Sequence, residues 1–146
     1  MLYALRLCLL VLGVSAVAIA CSIFFLGAAF TATSAESVFS LVSGWRGPLT
    51  GSWPPTMDSE LRFYAALWAA YGVVVLRAAR RLETHFHEVP WLAATFFAGG
   101  VGRILSRLSV GAPHPFFTLL LVIEISLPVV ITALWLGAQR GMASEV

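Results

Sequence analysis

The chain has 146 residues, of which 60% are hydrophobic and only 11% are charged, and its mean hydropathy is +0.91. A soluble domain carries about a quarter charged residues, so this composition excludes a water-soluble globule and indicates that lipid solvates part of the surface. The net charge is +2 and the nine basic residues, all arginines, are scattered along the chain. This excludes the dense basic patch that is typical of nucleic-acid binding.

Four stretches of the chain are long and apolar enough to cross a bilayer as helices. The hydrocarbon core is about 30 Å thick, which a helix crosses in about 20 residues. The expected fold class is all-α, with one transmembrane four-helix bundle that takes in residues 1–146. We predict spans at about residues 3–30, 58–79, 90–110 and 115–138, with an outer loop at 31–57 and an inner loop at 80–89.

The first stretch has a second interpretation as a secretory signal. Residues 18–21 read Ala-Ile-Ala-Cys and loosely resemble a lipoprotein cleavage site. After Cys21, however, the chain continues with Ile23, Phe24 and Phe25, where a processed lipoprotein would turn polar. We therefore favour a retained span.

The placement of arginines predicts the orientation, because the cytoplasmic flanks of membrane spans are enriched in positive charge. The outer loop carries only Arg46. We expect both termini in the cytoplasm, and the lysine-free, alanine-rich composition is typical of a bacterium with a GC-rich genome. With four spans, the cytoplasmic side receives five arginines: Arg6, Arg77, Arg80, Arg81 and Arg140.

The outer loop is rich in glycine, proline and tryptophan and is expected to form a cap at the membrane surface. Thr33 and Glu36 have the spacing of a capping box ahead of an apolar run. This pattern predicts a short helix that lies on the membrane.

Few residues suggest metal binding or catalysis. His85 and His87 lie beside acidic residues in the inner loop and form a weak candidate for a zinc or nickel site. We favour a solvated turn, because no third histidine or cysteine lies nearby in the sequence, and we expect no metal or cofactor. Nucleophile, phosphate-loop and redox motifs are missing from the sequence, so no enzymatic activity is predicted.

Ionisable residues within the spans are the main candidates for a site, since each costs roughly 2.5–3.5 kcal/mol at mid-bilayer and is usually paired or functional. The short turn between spans three and four makes them antiparallel neighbours, and the helical rise puts Arg103 and Glu124 at similar depths. We predict an ion pair between these two residues, with Glu60 at a level suited to face Arg107. The predicted outer-half cluster consists of Glu60, Arg62, Arg103, Arg107 and Glu124.

Pro128 lies four residues after Glu124 and has no N–H group to donate to the Glu124 carbonyl, so span four is expected to kink there. The freed carbonyl either contributes to an intramembrane ligand site or is satisfied locally, for example by Ser126 or a water molecule.

Small residues recur every four positions along span three. Such a stripe lets helix backbones approach closely. We expect it to close the four-helix bundle, with exposure for a homo-oligomer or a membrane-protein partner as the alternative. The stripe consists of Ala94, Ala98, Gly102 and Ser106, with Gly99 beside it.

Several motifs lie between residues 58 and 136: Glu60-x-Arg62 with Gly72, then Gly99-Gly100-x-Gly102-Arg103-x-x-Ser106 with Gly111 and Pro113, and Glu124 with Pro128. With these motifs, residues 58–136 resemble a bacterial family of small four-span membrane proteins that is catalogued only as a domain of unknown function. Members tend to have asparagine before the Glu-x-Arg and a glycine soon after it, where this chain has Ser59 and alanines. A looser resemblance, to DoxX-like proteins, concerns architecture alone. The resemblance implies a four-helix membrane protein and supplies no activity. Together with the composition, it implies a multi-pass protein of the bacterial inner membrane.

Three functions compete at this stage. The first is an interaction or accessory protein of the membrane, whose Glu/Arg network holds the bundle together. The second is a module that binds or transports a lipid headgroup or a small anion through the same residues. An enzyme that uses Glu124 as an acid or base comes last, since only one buried carboxylate favours it. Membrane lipids are the expected surroundings in all three.

Overall fold

The computed structural model describes residues 1–51 and 53–143, with side chains as far as residue 141. All regular structure in these residues is helical. The helices are α1 (Leu2–Leu26), α2 (Ala28–Ser43), α3 (Pro55–Arg80), the single turn α4 (Leu82–His85) with a 3₁₀ turn after it (Phe86–Glu88), α5 (Val89–Val110) and α6 (Pro115–Ala143).

Four helical segments are long and apolar enough to cross a membrane, which confirms the all-α class with four candidate spans. The second, third and fourth segments are longer than predicted, because residues assigned to the adjoining loops are also helical. The segments are Leu2–Leu26, Pro55–Arg80, Leu82–Val110 and Pro115–Gly141.

The first apolar stretch differs from the prediction of one span to residue 30, because it is divided into two helices at Gly27. Gly27 has a φ of 90°, a left-handed conformation that glycine adopts without steric cost. The predicted short helix in the outer loop is correspondingly longer, since α2 starts directly after the break and has 16 residues.

Helices α1 and α3 form one closely packed antiparallel pair. A Cβ atom at Gly72 would lie 2.8 Å from Val17 Cγ2, and one at Gly13 would lie 2.7 Å from Leu76 Cγ. Glycine therefore sets the distance between these helices at two levels.

Helices α5 and α6 form the second antiparallel pair. Gly100 lies at their contact, where a Cβ atom would come within 2.7 Å of Ile125 Cδ1. The stripe that the sequence analysis expected to close the bundle is exposed instead, and no atom lies within 4 Å of a Cβ built at Gly99 or Gly102. The prediction is wrong because the packed face of α5 is the adjacent one, which carries Ala93, Phe96 and Gly100.

The two pairs meet in a core near the end of the bundle at which Met1, α4 and the end of α6 lie, here called the termini end. The most deeply buried side chains there include Leu5, Leu9, Leu82, Val89 and Ile131. Polar contacts close this end: Arg6 with Glu83 at 2.6 Å, Arg77 with Glu88 at 3.0 Å, and Trp135 Nε1 to the Phe86 carbonyl at 3.0 Å.

The opposite end, here called the cap end, carries α2, the start of α3 and the α5–α6 turn. Residues of α2 and the following loop cover the turn, since the rings of Phe39 and Trp45 lie 5.9 and 4.2 Å from the ring of His114. The cap end corresponds to the outer side in the predicted orientation.

Candidate functional site

The ion pair predicted between spans three and four is present in the structure. Arg103 Nε on α5 lies 2.6 Å from Glu124 Oε2 on α6, and the Glu124 side chain is only 13% exposed. Gly100, one turn earlier on α5, allows the close helix contact that brings the two side chains together. The Arg103 guanidinium also lies 5.7 Å from the centre of the Phe117 ring, within the range of a cation–π contact.

Pro128 is buried within α6, and the helix continues on both sides of it. Because proline has no N–H group, the carbonyl of Glu124 lacks its usual helical donor. A backbone acceptor and a carboxylate of the same residue therefore lie next to each other in the apolar part of the chain.

Arg107 lies one turn from Arg103 toward the cap end. Its Nη1 donates a hydrogen bond to Thr118 Oγ1 at 3.2 Å. Among the residues that the structure describes, no carboxylate forms an ion pair with Arg107. This guanidinium is therefore available to an anion from outside the chain.

A pocket of about 170 Å³ lies between α5 and α6 beside these two arginines. The polar part of its wall combines two cations with hydroxyl groups, and the rest is apolar. Such a lining is suited to an anion that is attached to an apolar group. The lining residues are Arg103, Ser106, Arg107, Pro113, Phe117, Thr118 and Leu121.

Glu60 and Arg62, which the sequence analysis placed in the same cluster, lie elsewhere. Glu60 is exposed and forms no ion pair within the described part of the chain. Arg62 pairs with Asp58 at 2.8 Å. The prediction fails for both residues because α3 packs on α1 at this end, away from the α5–α6 pocket.

Arg62 and Asp58 bridge the break at Gly27. Asp58 Oδ1 accepts the Ala28 N–H at 3.1 Å, and Arg62 Nη1 donates to the Phe24 carbonyl at 2.7 Å. In an unbroken helix, Ala28 N–H would bind the Phe24 carbonyl directly. The two side chains of α3 therefore replace a missing bond between α1 and α2.

Glu36 is a buried acid that the sequence analysis treated only as a capping residue. Its side chain is inaccessible to solvent and accepts hydrogen bonds from the backbone N–H of Thr50, at 2.7 Å, and from the Thr50 hydroxyl. These hydrogen bonds attach the outer loop, at Thr50, to helix α2. Its capping-box spacing gave a competing explanation, so the sequence offered no clear signal for this contact.

The His85 and His87 candidate is a surface turn in the structure. His85 Nδ1 lies 2.7 Å from Thr84 Oγ1 and 3.1 Å from the Arg81 carbonyl, and His87 is exposed. Within residues 1–51 and 53–141, no three histidine, cysteine, aspartate or glutamate side chains converge as metal ligands would.

Among the comparisons with other proteins, only the family comparison gives a match. No curated protein and no solved structure matches the chain. A family model described as a domain of unknown function, DUF4345, matches residues 4–136, which include all four candidate spans almost completely. The expected relationship to a family catalogued as a domain of unknown function is therefore confirmed, and the chain belongs to the DUF4345 family.

Proposed function

We propose that this protein is a multi-pass membrane protein that binds an anionic ligand in the pocket between α5 and α6. The observation that carries the proposal is Arg107, which lines the pocket without a carboxylate partner among the described residues. Arg107 lies in the last turn of a candidate span, and an ionisable residue in such a segment is a candidate for ligand binding. The Arg103–Glu124 pair beside it fixes the pocket wall.

Native mass spectrometry of protein released in a mild detergent tests this proposal. We expect wild type to retain an anionic molecule that Arg107→Gln loses. Arg80→Gln is the matched control, because Arg80 is exposed at the termini end and makes no ion pair in the structure as described. Equal retention by all three proteins, or bare protein in all three, would contradict the site.

An interaction or accessory role is a second candidate, and the exposed small-residue face of α5 favours it. Ala94, Ala98 and Gly102 lie exposed on one face of a candidate span, where another helix can approach closely. Single-molecule photobleaching in nanodiscs tests this role. We expect wild type to associate and Ala98→Leu to separate, whereas Ala133→Leu on the exposed face of α6 leaves association unchanged.

A further inference from the structure

We propose that the pocket between α5 and α6 takes a phosphate ester with a net charge of minus one, the chemistry of an anionic diester lipid headgroup. This assignment of ligand class rests on the anion site proposed above. It follows from the charge balance of the pocket, from the donors that remain available and from the level of Arg107 along α5.

The charges at the pocket match a ligand with one negative charge. Arg103 and Arg107 contribute two positive charges, and Glu124, paired with Arg103, contributes one negative charge. The net charge of these three side chains is therefore one positive charge. A phosphate diester carries one negative charge, whereas a phosphate monoester carries about 1.5 to 2 at neutral pH. A diester therefore balances the charge of the pocket, whereas a monoester adds excess negative charge.

The available donors are suited to phosphate oxygens. Arginine has five N–H donors in a planar fork that fits two oxygens at once, and Arg107 uses one of them for Thr118. Ser106 and Thr118 add hydroxyl groups. The first amides of α6 do not contribute, because His114 accepts the N–H groups of Phe116 and Phe117. Recognition thus depends on side chains.

The position of Arg107 corresponds to the headgroup layer. It lies three residues before the end of α5 at Val110, or about 4.5 Å along the helix axis. Phe117 and Leu121 continue the pocket wall along α6 away from the cap end. A headgroup at Arg107 would place its acyl chains beside this apolar wall.

Lipid titration of the delipidated protein in dodecyl maltoside tests the ligand class. The probes are phosphatidylglycerol, phosphatidic acid and phosphatidylcholine with the same acyl chains, followed by native mass spectrometry. We expect phosphatidylglycerol to bind wild type and Arg80→Gln at least tenfold more tightly than the other two lipids. Arg107→Gln should lose this advantage, and Glu124→Gln should shift the preference toward phosphatidic acid, because it removes the compensating carboxylate.

Two further probes separate the possible outcomes. Dimethyl phosphate that stabilises the protein as strongly as the lipid, in an Arg107-dependent way, would support the ester class with a soluble source. An Arg107-dependent preference for phosphatidic acid in wild type, or binding of laurate without any phosphate ester, would overturn the ester assignment while the anion site stands. Absence of Arg107-dependent binding for every probe would overturn both. If Glu124→Gln does not fold, the relative affinities of wild type for the three lipids still decide the ligand class.

Discussion

At Gly27 the helix is interrupted, and two side chains of α3 form hydrogen bonds with the backbone groups on either side of the break. Asp58 accepts from Ala28, and Arg62 donates to Phe24, so both backbone groups are satisfied at the break. An unpaired backbone group in an apolar environment costs several kcal/mol, which explains why two ionised side chains are placed here. Arg62, part of the Glu-x-Arg pattern that carries the family resemblance, therefore has a structural role in this fold.

Gly27→Ala is expected to destabilise the protein by about 1–3 kcal/mol, since alanine at a positive φ is strained. A Cβ atom at Gly27 would also lie 2.8 Å from Arg62 Nη2. Thermal unfolding in detergent measures the loss. Gly44→Ala has a similar φ of 73° with open space around it, so its effect should be smaller.

Gly51→Ala is the neutral control for this experiment, because Gly51 has neither a positive φ nor an atom within 4 Å of the added Cβ. Equal losses for Gly27→Ala and Gly51→Ala would contradict the role assigned to the break.

The Arg103–Glu124 pair yields a second prediction at the residue scale. Arg103→Gln alone should destabilise the protein by about 1–3 kcal/mol, because it leaves the Glu124 charge without its partner in an apolar setting. Arg103→Gln combined with Glu124→Gln should recover much of that loss. Thermal unfolding of the two variants beside Arg80→Gln checks this, and an unchanged melting temperature for Arg103→Gln would refute the pairing.

At the scale of helices, the face of α5 on which a glycine lies decides whether it packs against α6 or is exposed. Gly99 and Gly100 are neighbours in sequence, but only Gly100 faces α6. The four-residue spacing reveals a stripe of small residues on α5. It does not show which face of α5 packs against another helix. In lipid an exposed alanine or glycine costs little, because the surroundings are as apolar as a protein core.

Gly100→Ala is expected to weaken the α5–α6 pair by about 1–3 kcal/mol, as overpacking of a close contact does. The added Cβ would lie 2.7 Å from Ile125 Cδ1 and 3.2 Å from the Glu124 carbonyl carbon. Gly99→Ala adds the same atom on the same helix into open space and should leave the melting temperature unchanged or slightly raised, because alanine favours the helix more than glycine does. Similar melting temperatures for both variants would rule out the packing role of Gly100.

At the scale of the molecule, two antiparallel helix pairs share a core near the termini end, and the cap end holds the pocket. This division puts the apolar contacts and the candidate binding groups at different levels of the bundle. Arg6, Arg77, Arg80 and Arg81 lie at the termini end. By the positive-inside rule, we expect this end to face the cytoplasm.

The predicted orientation can be checked by labelling single cysteines with a membrane-impermeant maleimide in intact cells. The background replaces Cys8 and Cys21 with alanine. Arg46→Cys should be labelled from outside, whereas Arg81→Cys should react only after the membrane is opened. The reverse pattern would invert the topology and place the pocket on the cytoplasmic side.

The sequence by itself determined the all-helical class, the four candidate membrane spans and the pairing of Arg103 with Glu124. These follow from local properties: the length of apolar runs, the helical rise and a turn too short to separate two helices. Only the tertiary structure decided the break at Gly27, the exposure of the α5 stripe and the removal of Glu60 and Arg62 from the cluster. Each of these depends on which helix lies beside which face, and hydrophobic periodicity leaves that choice open when both lipid and protein are apolar.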